Sequence, residues 1–99
     1  MIRFDWKKYP LEVQNAAHMI GLTREKTYNR HGKEFFRPYR NYFQAANGTP
    51  DYYSFLSMVE DERAVFRNGQ NDTTWFFLTR KGFDWLGDEL GIYIFDEEK

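Results

Sequence analysis

The side chains best suited to engaging a ligand are concentrated in residues 23–40. Arg24, Lys26, Arg30, Lys33, Arg37 and Arg40 alternate there with Tyr28, Phe35, Phe36 and Tyr39, against only two carboxylates. Cations that pair with phosphate, set beside rings that stack, are the means of a nucleic-acid surface. The same composition also describes a solvated loop pinned by its aromatics, and both readings stand at this point. A second set of cations, Arg63 and Arg67 with Asn68, Gln70 and Asn71, surrounds an expected hairpin. A third, Arg80 and Lys81, falls in the first turn of an expected helix, where positive charge works against the helix dipole. That placement points to an anionic partner outside the chain.

Catalytic chemistry finds no support. Gly-x-Gly-x-x-Gly, the P-loop, Gly-x-Ser-x-Gly and His-Glu-x-x-His are absent. Glu60, Asp61 and Glu62, and likewise Asp96, Glu97 and Glu98, are adjacent in sequence. Adjacent carboxylates point in different directions on a helix and do not form an acid/base pair. His18 and His31 are the only histidines and there is no cysteine, so neither a metal site nor a cofactor is expected. The chain is read as a non-enzyme.

The elements that must position these groups follow from local pattern. Ninety-nine residues make one domain, 1–99, and a 20% aromatic content supplies much of its buried area. Thr73 to Leu78 is β-branched and aromatic, as in a buried strand. Thr79 then caps a helix on which Phe83, Leu86 and Leu90 recur at one face, and Gly91 stops it. Val13, Ala16, Ala17 and Ile20 predict a helix over 10–20, with Pro10 at its first position and Gly21 at its end. Asn47-Gly48-Thr49-Pro50-Asp51 is a turn, cap and helix start, followed by Tyr52, Phe55, Leu56 and Val59 at helical spacing; a helix over 50–61 is predicted. Residues 64–78 form a hairpin. Residues 1–9 are an edge strand or an arm lying on the core, 23–40 an irregular basic stretch, 40–43 a short strand or helical turn, and 92–95 a strand or packed tail. Residues 96–99 are a frayed end. The fold expected is α+β and winged-helix-like, with three helices, a hairpin wing and a short terminal strand.

Charge is divided along the chain. Residues 1–43 hold nine Lys/Arg against four Asp/Glu, a net +5, and residues 44–99 hold five against eleven, a net −6. Such asymmetry creates a steering field that the total of −1 conceals, or simply two solvated faces. No apolar run approaches the ~20 residues of a membrane span, and no signal-peptide block is present. A cytoplasmic protein is expected.

Three motifs occur in series: His18-Met19-Ile20-Gly21-Leu22, Pro38-Tyr39-Arg40-Asn41-Tyr42-Phe43 and Phe76-Phe77-Leu78-Thr79-Arg80-Lys81-Gly82. Together they resemble a family of small, mostly uncharacterised proteins encoded by phages and prophages. Its members carry a His-x-x-Gly-Leu helix end, a Tyr-Arg-Asn segment and a closing aromatic-x-x-Thr-x-x-Gly. The last joint is also similar to that of bacterial winged-helix regulators, from which it departs in placing Leu86 one position early. The resemblance covers about residues 16–87. It implies a phage origin, a bacterial host cytoplasm and a winged-helix-like fold, and it implies no activity. It directs attention to Tyr39, Arg40 and Asn41, either as contacts for a partner or as ties from the basic loop to neighbouring backbone with Tyr39 in the core.

The function expected is a non-enzymatic accessory protein that binds a host or phage protein, including inhibition of a host defence or regulatory factor. The alternative is a winged-helix regulator binding double-stranded DNA as a homodimer. Arg37, Tyr39, Arg40, Asn41, Arg63, Arg67, Arg80 and Lys81 are the expected partner-binding residues.

Overall fold

The computed structural model describes residues 4–23 and 26–94. Arg24, the last residue of the predicted 92–95 segment and the acidic run at 96–98 lie outside the described residues, as do the first three residues of the lead. Within them the chain is α+β: three α-helices and two three-stranded sheets around one hydrophobic cluster.

Of the two expectations for the lead, it is an arm lying on the core and not an edge strand. Trp6–Lys8 makes a single 3₁₀ turn, and Phe4, Trp6 and Tyr9 pack against the core while touching one another, Phe4 and Trp6 with ring centroids 5.0 Å apart and Trp6 and Tyr9 5.8 Å apart. Helix α1, Leu11–Met19, starts one residue later than predicted because Pro10 serves as its N-cap. It buries Val13, Ala16 and Ala17. Gly21 (φ 85°) closes it, with the Leu22 N–H donating to the Ala17 carbonyl at 2.9 Å.

The basic stretch is not irregular. Strands β1, Tyr28–Arg30, and β2, Lys33–Phe36, form an antiparallel hairpin with Tyr28 opposite Phe35 and Arg30 opposite Lys33. His31 and Gly32 turn it with φ of 54° and 79°, the double positive φ that a two-residue hairpin connection needs. Two features hid it: the strands are three and four residues long, and histidine replaces the usual Asn or Asp before the turn glycine.

Strand β3, Phe43–Ala46, begins where the predicted 40–43 segment ends. Helix α2, Pro50–Glu60, is capped by Thr49, whose Oγ1 accepts from the Tyr52 N–H and donates to the Ala46 carbonyl at 2.7 Å. Strands β4, Ala64–Asn68, and β5, Thr73–Leu78, form the predicted hairpin. β5 lies between β4 and β3 and buries alternate residues Thr74, Phe76 and Leu78. Phe76 stacks on Phe55 at 5.0 Å, and Phe43 lies 4.8 Å from Phe55, so β3, α2 and β5 share one aromatic core.

Helix α3, Arg80–Leu90, matches the prediction in both bounds. Thr79 Oγ1 accepts from the Gly82 N–H at 3.1 Å and donates to the Glu62 carbonyl at 2.6 Å, fastening the helix start to the turn that leads into β4. Gly91 (φ 72°) ends it. Strand β6, Tyr93–Ile94, then pairs in parallel with β2, Phe35 opposite Tyr93 and Phe36 opposite Ile94, and completes the sheet β1-β2-β6. Among the described residues no helix is long and apolar enough to cross a membrane.

Candidate functional site

Side chains alternate across a sheet, so register alone decides which residues of β1-β2-β6 share a face. Phe36 and Ile94 are buried beneath it. Tyr28, Arg30, Lys33, Phe35 and Tyr93 therefore share the opposite, outward face. There Tyr28 stacks on Phe35 with centroids 5.8 Å apart and planes inclined by 21°, and Phe35 meets Tyr93 at 5.3 Å. The result is a row of three rings, one from each strand, whose outer members are 37% and 53% exposed.

Cations surround this row. Lys33 Nζ sits 5.4 Å from the Tyr93 ring centroid. Arg30 and Arg37 line a hollow of about 220 Å³ together with Tyr28 and Phe35. Lys26, Arg37 and Tyr39 border a second hollow together with Tyr28 and the inner-face Phe36. At the other end Arg80 faces a groove of about 540 Å³ along with Phe35 and Tyr93, which Asp84 and Asp88 share from α3. The one carboxylate of the hairpin is turned to the inner side. Glu34 accepts from Thr27 Oγ1 at 2.6 Å and from Asn29 Nδ2 at 3.2 Å. The Thr27 hydroxyl chiefly holds Glu34 below the usual carboxylate range.

The expected partner-binding residues divide into groups. Arg37, Tyr39 and Arg80 border the hollows just described. Tyr39 is 55% exposed rather than filling the core; its ring lies against Gly21, where no Cβ would fit. Arg40 Nη2 donates to the His18 carbonyl at 2.7 Å, and the guanidinium lies 5.5 Å from the Tyr39 ring and 5.9 Å from that of Tyr42. Asn41 bonds both backbone groups of Leu78. Arg40 and Asn41 thus make the ties to neighbouring backbone that one reading of the motif anticipated.

The remaining cations lie elsewhere, and two of them are engaged within the fold. Arg63 is buried; it bonds Asp61 at 2.6 Å and Glu12 at 2.9 Å and lies 4.4 Å from the centre of the Trp85 ring. Burial opposes its charge, and the two carboxylates more than offset that, leaving its pKa raised. Lys81 Nζ donates to the Asp61 carbonyl at 2.7 Å. Its charge, unfavourable at the start of α3, thereby serves the C-terminal end of α2, where the dipole favours a cation. Arg67 is exposed on β4, 5.9 Å from the Phe77 ring.

Sequence reasoning named the stretch containing Tyr28 and Phe35 but not Tyr93. The third ring reaches the row through a parallel pairing that no local pattern announces. Among the described residues no group of three His, Asp or Glu side chains is placed to hold a metal ion. Comparison with protein-family models, curated proteins and solved structures gives no significant match.

Proposed function

We propose that this chain is a non-enzymatic module that binds single-stranded nucleic acid on the outward face of β1-β2-β6. The observation that carries the reading is the row Tyr28, Phe35 and Tyr93, in register across three strands and bordered by Arg30, Lys33, Arg37 and Arg80. Unpaired bases stack on such rings, at about 1–3 kcal/mol per base, and the cations gather phosphates. A duplex keeps its base faces covered and gains little from exposed rings.

The strand order β3-β5-β4, with α2 before β4 and α3 after β5, supports the winged-helix likeness, though a fold does not assign a function. Duplex docking through that hairpin finds less support. Arg63 is committed to Asp61 and Glu12, and the exposed Glu60 and Asp61 at the end of α2 would repel phosphate. Membership of the phage and prophage family, and action in a bacterial host's cytoplasm, are part of this proposal. Such a protein would handle single strands exposed during replication or recombination of the phage genome.

A second reading, binding of a host or phage protein, is favoured by a different surface. Tyr53 on α2 and Val65 and Phe66 on the edge strand β4 are 52–60% exposed. An uncovered apolar edge strand is a docking site for a partner strand, including one from a second copy.

Fluorescence anisotropy of a labelled mixed-sequence single strand, compared with the same sequence as a duplex, tests the first reading. Binding that favours the single strand and weakens with salt is expected. Absence of single-strand binding at low salt, or tighter binding of the duplex, overturns it.

A further inference from the structure

Sheets avoid pairing with other chains by keeping their edge strands short, charged or interrupted. The sheet β1-β2-β6 follows this rule: β1 is three residues long and carries Arg30, and β6 is two residues long. At one edge of the other sheet, β3 turns Phe43 onto Phe55 and buries Ala45. The opposite edge, β4, follows none of it. Its five residues pair with β5 in an unbroken register, include no proline, and leave Val65 and Phe66 each 52% exposed.

The ladder with β5 fixes which backbone groups that edge offers. The Thr79 N–H donates to the Arg63 carbonyl at 3.0 Å, and the Gly69 N–H to the Thr73 carbonyl at 2.9 Å. Both pairs extend the register that sets Ala64 opposite Leu78, so the odd-numbered residues of β4 bond β5 and the even-numbered ones turn their N–H and C=O outward. Leu78 agrees with this alternation, because its own backbone groups are taken by Asn41, on the side away from β4. Ala64, Phe66 and Asn68 therefore present a row of donors and acceptors, with no strand beyond them among the described residues. Phe66 also shares the inner face with the buried Ala64, opposite Phe76. It carries the aromatic core out to an edge where its ring is half uncovered.

We propose that β4 pairs antiparallel with β4 of a second copy of this chain, about a two-fold axis at Phe66, joining two three-stranded sheets into one of six. The pairing rests on the edge named in the second reading above and is independent of the single-strand reading. Charge selects the register, since like charges directly opposite one another destabilise a ladder. An axis at Arg67 would set two guanidinium groups face to face. An axis at Val65 would set Arg67 opposite Arg63 of the second copy and leave Asn68 outside the paired span. With the axis at Phe66, Asn68 lies opposite Ala64, Phe66 meets Phe66 of the second copy, and each of these pairs exchanges two hydrogen bonds. Arg67 then lies opposite Val65, which its aliphatic stem covers while the charged head stays in water. Each copy spends the same edge, so the assembly closes at two.

Sedimentation velocity over a hundredfold range of concentration tests the pairing, with a shift from monomer to dimer expected. Asn68→Pro deletes an outward N–H that β5 does not use, and is expected to weaken the dimer at least tenfold while the melting temperature at the lowest concentration is unchanged. The register is read by oxidising an equimolar mixture of Val65→Cys and Arg67→Cys, in a chain otherwise free of cysteine. These positions face each other with Cα atoms about 4.5 Å apart, so the mixed disulfide is expected in preference to either self-linked product. A monomer at every concentration, a dimer that Asn68→Pro leaves intact, or self-linked Val65→Cys as the main product overturns the proposal. For a chain that stays monomeric, hydrogen exchange at Ala64, Phe66 and Asn68 separates this failure from that of the second reading. Fast exchange leaves the edge open to a strand of a different protein, and slow exchange shows it closed to any.

Discussion

Asn41 holds the backbone of Leu78 with both ends of its carboxamide. Nδ2 donates to the Leu78 carbonyl at 3.0 Å, and Oδ1 accepts the Leu78 N–H at 2.8 Å. Phe43 is paired with Phe76 in the β3–β5 ladder, so Asn41 stands where the next pair of the same register would fall. A side chain thus replaces one rung of backbone pairing. With Tyr39 against Gly21 and Arg40 on the His18 carbonyl, it gathers the three sequence motifs at one joint.

Replacing Asn41 by Ala leaves both Leu78 groups without these partners. Each lost hydrogen bond in a partly buried place is worth about 1 kcal/mol, and an unsatisfied group costs more. Asn41→Ala is expected to lower stability by about 2–3 kcal/mol, read by urea denaturation. A loss below half a kcal/mol would show that water replaces the amide without cost.

Tyr28→Ala and Phe35→Ala are each expected to weaken single-strand binding by about 1–3 kcal/mol, or roughly 5- to 150-fold. Tyr28→Phe should bind like the wild type, because the ring and not its hydroxyl does the stacking. Lys33→Gln should instead flatten the dependence of affinity on salt, by about 0.7 in the logarithmic slope if Lys33 neutralises one phosphate. Anisotropy at three salt concentrations separates these outcomes.

Arg63→Met should leave strand affinity unchanged while lowering stability. Its side chain is 10% exposed, whereas those of Glu12 and Asp61 are 32% and 51% exposed, so the abandoned carboxylates can rehydrate. The expected loss is about 1–2 kcal/mol, less than the 3–5 kcal/mol of a fully buried pair. A thermal melt and one binding curve suffice, and a tenfold fall in affinity would place Arg63 at the interface after all.

Acid should reveal Asp61. The hydrogen bond from the Arg63 guanidinium holds its carboxyl below its ordinary value. The unfolded state therefore binds its proton first, at a pH near 3.9. Its contribution to stability is complete above that value and is lost as the pH falls through the depressed folded one. Asp61→Asn should be less stable at neutral pH, and its melting temperature should fall less between pH 5 and about pH 2.5. Parallel slopes for the two proteins would contradict this.

Gly82 tests the closing motif. A Cβ there would run into the Arg63 carbonyl and Leu78, and the backbone is not of the kind that yields cheaply. Gly82→Ala should cost about 1–3 kcal/mol by overpacking. Gly32→Ala, in open space with φ 79°, should cost only about 1 kcal/mol of backbone strain. Chemical denaturation of the two variants gives the comparison.

Where a segment carries its own instructions, it was legible before folding. Thr49-Pro50 and Thr79 announce the starts of α2 and α3, Gly91 announces an end, and the alternation of β5 is written in its residue types. The segments that escaped are those whose identity depends on a distant partner. β3 contains Gln44, Ala45 and Ala46, weak strand formers that β5 recruits. β1 and β2 are short, charged strands, supported by β6 from the far end of the chain. The cations show the same limit. Arg63 and Arg67 look alike in sequence, yet one is enclosed by Glu12, Asp61 and Trp85 while the other is exposed. Asp61 lies two residues before Arg63, but the partners that complete its enclosure, Glu12 and Trp85, are 51 and 22 residues away.

The parallel pairing of Phe35 with Tyr93 joins residues 58 positions apart, across the whole of α2, the β4–β5 hairpin and α3. Loop closure of that span is entropically expensive until the intervening elements have shortened it. The third ring should then reach its place late in folding, after the aromatic core around Phe55 has formed. Tyr93 is thus a report on completion: a chain still assembling would display two rings, and the full row would be offered to a ligand only by a molecule that has finished folding.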